Sequence, residues 1–429
     1  MRDRESHKTS GYRSLVSQYL AALAFRDYRT MWIASLSAGA AAWALIVARG
    51  WLVYDISESS LWVGVVTFAA MIPRVLVTPL SGYLSDRFDR RNVIASMFAL
   101  NVAHNLVLGV LVMTGGVEIW MLVALALVNG SARAAQMPAT QALIPNLVPK
   151  RLLLNGIALS QAAGLGSRLL GPAAIAPMLG RTSLEGAFFV CSAFYVVSLV
   201  QALRIRTAST GSIDRTQSLA SNLIAGLVYV YRTPTLLSIM LLAFFHCGLT
   251  MSFESMLPVL SRQQLDAEGA GFSYLMMAVG AGALASVLVL AGVRSESAKG
   301  RLFLGLGALS GLAPVVLAMS GNMPAALLAA AGMGATQAGF MTLTHTMIQS
   351  IVPDEVRGRV GGVYSVHIGG MMATANLFNG ALSDLVNAQL LLTVGGVAFM
   401  VVILLSWRRA TLRSIYTTGL RVEAGAAAD

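Results

Sequence analysis

Apolar residues run through this chain in long blocks, and nearly every block ends at a cluster of charge or turn-forming residues. Reading apolar run against polar break gives twelve blocks, at about 31–54, 61–83, 92–113, 117–140, 154–177, 185–203, 235–260, 271–293, 301–320, 324–350, 359–383 and 390–407. As helices, blocks of about 20 residues cross roughly 30 Å of hydrocarbon. The pattern predicts an all-α polytopic membrane protein with twelve transmembrane helices, numbered spans 1–12 below.

The charges between the blocks are sided. Of 30 Lys and Arg residues, 24 fall in the two terminal segments and in the loops after spans 2, 4, 6, 8 and 10. The alternate loops hold Arg181 and Arg262, with acids at Asp55, Glu58, Glu118, Glu185, Asp266 and Glu268. Lys and Arg accumulate in cytoplasmic loops, so both termini are expected in the cytoplasm. The same sidedness accounts for the net charge of +11 without nucleic acid as a partner. With 56% hydrophobic and 11% charged residues, a soluble fold of 429 residues is excluded. The expected surroundings are a lipid bilayer.

The longest polar connection, 204–234, divides the chain into two six-span bundles, 31–203 and 235–407, leaving a segment 1–30 and a tail 408–429. At an offset of 204, Thr140, Ile144, Val148, Pro149 and Gly166 recur as Thr344, Ile348, Val352, Pro353 and Gly370, which points to two parallel repeats. Tyr12, Leu15, Val16, Tyr19, Leu20 and Leu23 share one helical face, as in a helix lying on the membrane surface. No cleaved signal peptide is expected in the first 24 residues. Cys191 and Cys247 fall inside spans and read as packing residues, with no disulfide or metal spacing.

Between spans 2 and 3 the chain reads SGYLSDRFDRRNV, residues 81–93. Gly82, Leu84, Ser85, Asp86, Arg87, Arg90 and Arg91 match the signature found in this loop of the major facilitator superfamily; Asp89 stands where a second glycine is usual. FRDYRTMW (25–32), PATQALIPNLVP (138–149), RLLGP (168–172), SMLPVLS (255–261) and VPDEVRGRVGGVYS (352–365) resemble its drug and siderophore efflux branch, which includes enterobactin exporter-like and macrolide efflux-like proteins. The resemblance covers nearly the whole chain. It implies two pseudo-symmetric six-helix bundles rocking about a central site, in a bacterial inner membrane. It also implies a conformational latch in which Asp86 meets the start of span 11, with Gly82, Arg87, Arg90 and Arg91 beside it. A solvated loop that only fixes topology is the alternative.

Ionisable residues within spans are costly, so they are expected to face protein or water. Arg49, Arg74, Arg133 and Arg168 lie in spans 1, 2, 4 and 5, whereas the C-terminal half offers one deep acid, Glu254 in span 7. Asn129, Arg133 and Gln136 form a polar stripe on span 4. A guanidinium does not give up its proton, so Arg133 is suited to holding an anionic group or tuning an acid. Glu254 is the candidate proton carrier, with His345 and His367 as further titratable groups beside the path. For the arginines, bonding to helix carbonyls and water is the alternative, and for the histidines, packing.

The leading reading is a proton-coupled exporter of a small amphipathic or anionic compound, working by alternating access as a monomer without a cofactor. An importer or exchanger of organic anions is the second. An enzyme is not expected, since the chain lacks metalloprotease, serine-hydrolase and phosphate-loop motifs.

Overall fold

In the computed structural model, which describes residues 20–77, 88–181, 183–209 and 219–419, the described residues contain helices and no strand. Helices α1 (Arg26–Ser57), α2 (Ser60–Met71), α3 (Arg90–Met113), α4 (Ile119–Leu147), α5 (Leu153–Ile175) and α6 (Leu184–Leu203) build spans 1–6. An amphipathic helix, α7 (Leu219–Arg232), lies in the connection between the halves. Span 7 is α8 (Pro234–His246) and α9 (Leu257–Gln263). Spans 8–12 are α10 (Gly269–Ala291), α11 (Glu296–Ala318), α12 (Met323–Ile351), α13 (Asp354–Leu385) and α14 (Ala388–Ser406), and α15 (Ala410–Thr418) follows. Gly82, Asp86, Arg87 and residues 12–19 of the amphipathic stretch 12–23 lie outside the described residues.

Ten of the described helical segments are long and apolar enough to cross a membrane by themselves. Spans 5 and 11 are long enough, at 23 and 32 residues, but less apolar. Both face the other half of the protein, where polar side chains need not meet lipid. Span 1 begins five residues earlier than its apolar run suggests.

Span 7 corrects the expectation of one continuous helix over 235–260. The α-helix ends at His246, a wide turn occupies Cys247–Met251, and regular helix resumes at Leu257. Pro258 is the cause. It has no N–H, and its ring would strike the carbonyl four residues back, which belongs to Glu254. The freed backbone groups find partners on spans 10 and 11. Gln337 Nε2 donates to Thr250 O (2.7 Å), Asn379 Nδ2 to Ser252 O (2.6 Å), and Ser255 N–H to Asn376 Oδ1 (3.3 Å). Non-helical backbone at membrane depth survives only when bonded in this way.

Among the described residues, one end carries Arg26, Arg90, Lys150, Arg204, Arg301, Arg359 and Arg409 and is the basic end, and the opposite end carries Asp55, Glu118, Asp266 and Asp384 and is the acidic end. At the acidic end one apolar cluster crosses both halves, including Trp51, Leu52 and Val63 of the first and Phe253, Leu257 and Phe272 of the second. Toward the basic end each half has its own cluster, one drawn from residues 22–205 and the other from 230–416. Gly164 of span 5 and Gly358 and Gly361 of span 11 face open space there. The halves are joined at the acidic end and apart at the basic end.

Candidate functional site: an arginine-lined cavity facing a broken helix

A cavity of about 150 Å³ lies between spans 1, 2 and 4 on one side and spans 7 and 11 on the other. Arg49, Arg74 and Arg133 line it from the first half, and Glu254 and Met372 from the second. Arg168 sits beside it with its guanidinium 4.5 Å from the centre of the Trp43 ring, a cation–π contact on the cavity wall.

Glu254 projects from the break in span 7. Its side chain is buried, Oε2 has no hydrogen-bond partner, and no ion pair among the described residues includes it. All four arginines nevertheless act on it electrostatically. Arg49 Nη1 and Arg168 Nε also lack hydrogen-bond partners. The result is one carboxylate and four guanidinia around a small space, close enough to feel one another and too far apart for contact pairs. Polar groups left like this in a low-dielectric site are poised to bond something that enters.

The predicted residues do not all meet there. Asn129 donates to Asn101 Oδ1 of span 3 (2.7 Å), and neither it nor Gln136 lines the cavity. The cavity face of span 4 is Gly130, Arg133, Ala134 and Met137, turned by about 80° from the polar stripe at 100° per residue, and Arg133 belongs to both. His345 is exposed beside the Tyr364 ring at 5.7 Å, and His367 Nδ1 is 2.8 Å from Val363 O; both lie outside the lining. His246, deeper in span 7, is a core residue bonded to Ser310 Oγ (2.6 Å) between Phe340 and Phe399. Sequence reasoning missed Trp43, Met71 and Met137, which belong to the apolar part of the wall together with Ile46, Val66 and Met372.

The acidic end carries a second constellation. Asp384, near the end of span 11, accepts from the N–H groups of Ser60 (2.7 Å) and Leu61 (3.1 Å) and from the Ser59 hydroxyl. It thus caps the first turn of α2 from the opposite half, next to its positive dipole end. Gly64 allows this approach, since a Cβ there would sit 2.8 Å from Asn376 O. Arg262 of span 7 lies 3.5 Å from Asp55 of span 1, and Gln263 Nε2 donates to Tyr54 OH (3.3 Å). Ser273 Oγ of span 8 donates to Pro172 O of span 5 (2.7 Å).

At the basic end Arg90 donates to Ala142 O of span 4 and to Ser209 Oγ of the connection between the halves, both at 3.0 Å, and Arg91 donates to Arg206 O of that connection at 3.1 Å. Asp89 caps α3 by accepting from Arg91 N–H (3.0 Å) and pairs with the Arg91 guanidinium at 2.6 Å. The Arg91 bonds hold its carboxyl below the ordinary carboxylate value.

Residues 17–419 match the profile of a family described as transmembrane secretion effector. The chain belongs to that family, within the major facilitator superfamily. Among its relatives, the multidrug efflux pump Tap of Mycolicibacterium fortuitum is 25% identical over 77% of this chain and 82% of that protein. Macrolide efflux protein A of Enterococcus faecalis is 23% identical over 51% and 68%. The Staphyloferrin A transporter of Staphylococcus aureus is 21% identical over 58% and 62%. In fold, the chain is similar to the nucleoside transporter NupG (TM-score 0.71, 10% identity, 89% of this chain and 100% of that one). It is also similar to a bacterial homologue of the human lysosomal transporter Spinster (TM-score 0.67, 12% identity, 92% and 98%). This secretion effector is therefore a multi-pass transporter of the drug and siderophore efflux branch, and not an enzyme.

Proposed function

We propose that this chain is a proton-coupled exporter of a small amphipathic compound, working by alternating access in a bacterial inner membrane, with anionic compounds falling to a second reading. The observation that carries the proposal is Glu254, an unpaired carboxylate held at a helix break and facing four arginines across the cavity. In this reading the basic end is cytoplasmic, and the structure is the inward-open state. Substrate enters between the halves and lodges against Trp43 and the methionines, and closure of the basic end with opening of the acidic end releases it outside. In this reading the latch at Gly82, Asp86, Arg87, Arg90 and Arg91 belongs to the outward-open state.

Antiport requires that proton and substrate exclude one another. A compound whose polar end is neutral or cationic meets that condition, because it bonds the Glu254 carboxylate and is displaced when the carboxylate is protonated. An anion on the arginines would instead gain from protonation of Glu254, and proton and anion would travel together. The four arginines thus favour the second reading, an importer or exchanger of organic anions.

The experiment is flux in liposomes with a pH-sensitive dye inside and an imposed proton gradient. Catecholate siderophores, organic acids, macrolides and cationic dyes are added in turn. Substrate-driven proton release that disappears in Glu254→Gln supports export by antiport. Proton uptake together with an anion, lost in Arg133→Ala, supports anion import, and substrate movement without proton flux overturns the proton-coupled export account in favour of anion exchange.

A further inference from the structure

A second cavity, of about 350 Å³, lies on the outer surface of the second half and away from the arginine-lined site. Its walls are span 7 and span 12, with Leu237, Leu241, Phe245, Val402 and Leu405 among the lining side chains, and it is roofed at the basic end by Arg409 and Leu412. We propose that this groove binds one anionic glycerophospholipid from the leaflet at the basic end, its acyl chain along α8 and its phosphate on Arg409.

Length argues for a lipid chain. The groove follows α8 from Pro234 to Phe245, which at 1.5 Å per residue is about 16 Å, roughly half the hydrocarbon thickness of a bilayer. A slot one leaflet deep, open to the membrane and apolar along its length, fits an acyl chain better than a soluble ligand. Depth argues for a headgroup at Arg409. Trp407 is exposed and stacked on Tyr416 (5.8 Å between ring centres, 11° between planes), and exposed tryptophans mark the level of the lipid headgroups. Arg409 follows two residues later, is exposed, and makes no ion pair among the described residues.

Charge argues for an anion. Among the described residues Arg409 is the one charged residue lining the groove, and α8 begins at its mouth with no acid in its first turn. Nearby cations work in the same direction, since Arg408 and Arg413 flank Arg409 and are exposed. The roof is built to stay in place. α15 docks on span 9 through buried Leu412, Ile415 and Tyr416, with Tyr416 OH and Ser406 Oγ 2.6 Å apart. A bound lipid would therefore brace the inner part of span 7, below its break, against span 12.

The test is photocrosslinking in nanodiscs of phosphatidylglycerol and phosphatidylcholine, each lipid supplied in turn with a diazirine in its acyl tail, with adducts mapped by peptide sequencing. The expected result is adducts concentrated on the peptides containing Leu237–Phe245 and Val402–Leu405, several-fold more with phosphatidylglycerol. One cation's interaction with an anionic headgroup corresponds to about five-fold, so Arg409→Gln is expected to reduce that preference by about this factor. Leu241→Trp fills the groove and is expected to lose the adducts of both lipids. Adducts spread evenly over all lipid-facing helices, or a phosphatidylglycerol preference unchanged in Arg409→Gln, would overturn the proposal.

Discussion

Asp384 is the contact whose removal has the most directly calculable effect. Its carboxylate belongs to span 11 and its three partners belong to the start of span 2, so in the proposed alternating-access cycle the contact exists only while the acidic end is closed. Everything lost on mutation is therefore lost from one of the two conformational states. Three bonds to a charged acceptor would total several kcal/mol in a dry site. Asp384 and Leu61 are exposed, so water competes, and helix-cap replacements are the closer guide at about 0.5–2 kcal/mol. Asp384→Ala should thus weaken the closed acidic end by about 1–2 kcal/mol, a change of roughly 5- to 30-fold in the ratio of the two states. Asp384→Asn keeps an acceptor and should do less. The assay is electron–electron distance measurement between spin labels at Trp120→Cys and Met319→Cys, exposed sites at the acidic end of opposite halves. Cys191 and Cys247 are buried and are replaced for the purpose. The long-distance population should grow several-fold in Asp384→Ala and less in Ser59→Ala. An unchanged distribution would refute the capping argument.

The other predictions concern single contacts. Asn379→Ala removes the donor to Ser252 O at the helix break and should cost about 1–3 kcal/mol, read as a lowered midpoint of thermal unfolding in detergent. Trp43→Leu removes the cation–π partner of Arg168 and part of the wall, and should weaken substrate binding about 3- to 30-fold while leaving the fold intact, read by equilibrium binding. Asp89→Ala should destabilise by about 1 kcal/mol through loss of the α3 cap, read by the same unfolding assay. The Asp89 carboxyl sits below its ordinary value because of Arg91, so its contribution is present above the unfolded-state value near 4 and is lost as pH falls through the lower folded value. Wild type and Asp89→Ala should therefore converge in stability in strong acid.

Much of this was legible in the chain, for identifiable reasons. Apolar runs and sided charge are set by the bilayer itself, so they needed no tertiary knowledge. Arg49, Arg74, Arg133 and Glu254 stood out because a charge at membrane depth requires an explanation. The polar stripe of span 4 was a poorer guide, since Asn129 bonds across to span 3 within its own half. Trp43 and Met137 carried no signal, because a wall residue and a lipid-facing residue look alike in an apolar helix. Asp384 carried no signal in the sequence, because its role depends on Ser60, 324 positions away. The break in span 7 did leave a trace, in a proline four residues after the one deep acid of its half.

The account rests on Glu254 linking proton and substrate across the cavity. The most direct test is the dissociation constant of a transported compound measured against pH in the wild type and in Glu254→Gln. The export account predicts binding that tightens as pH rises and a pH dependence that disappears in Glu254→Gln. Binding that tightens as pH falls, or a pH dependence that survives the substitution, would contradict it.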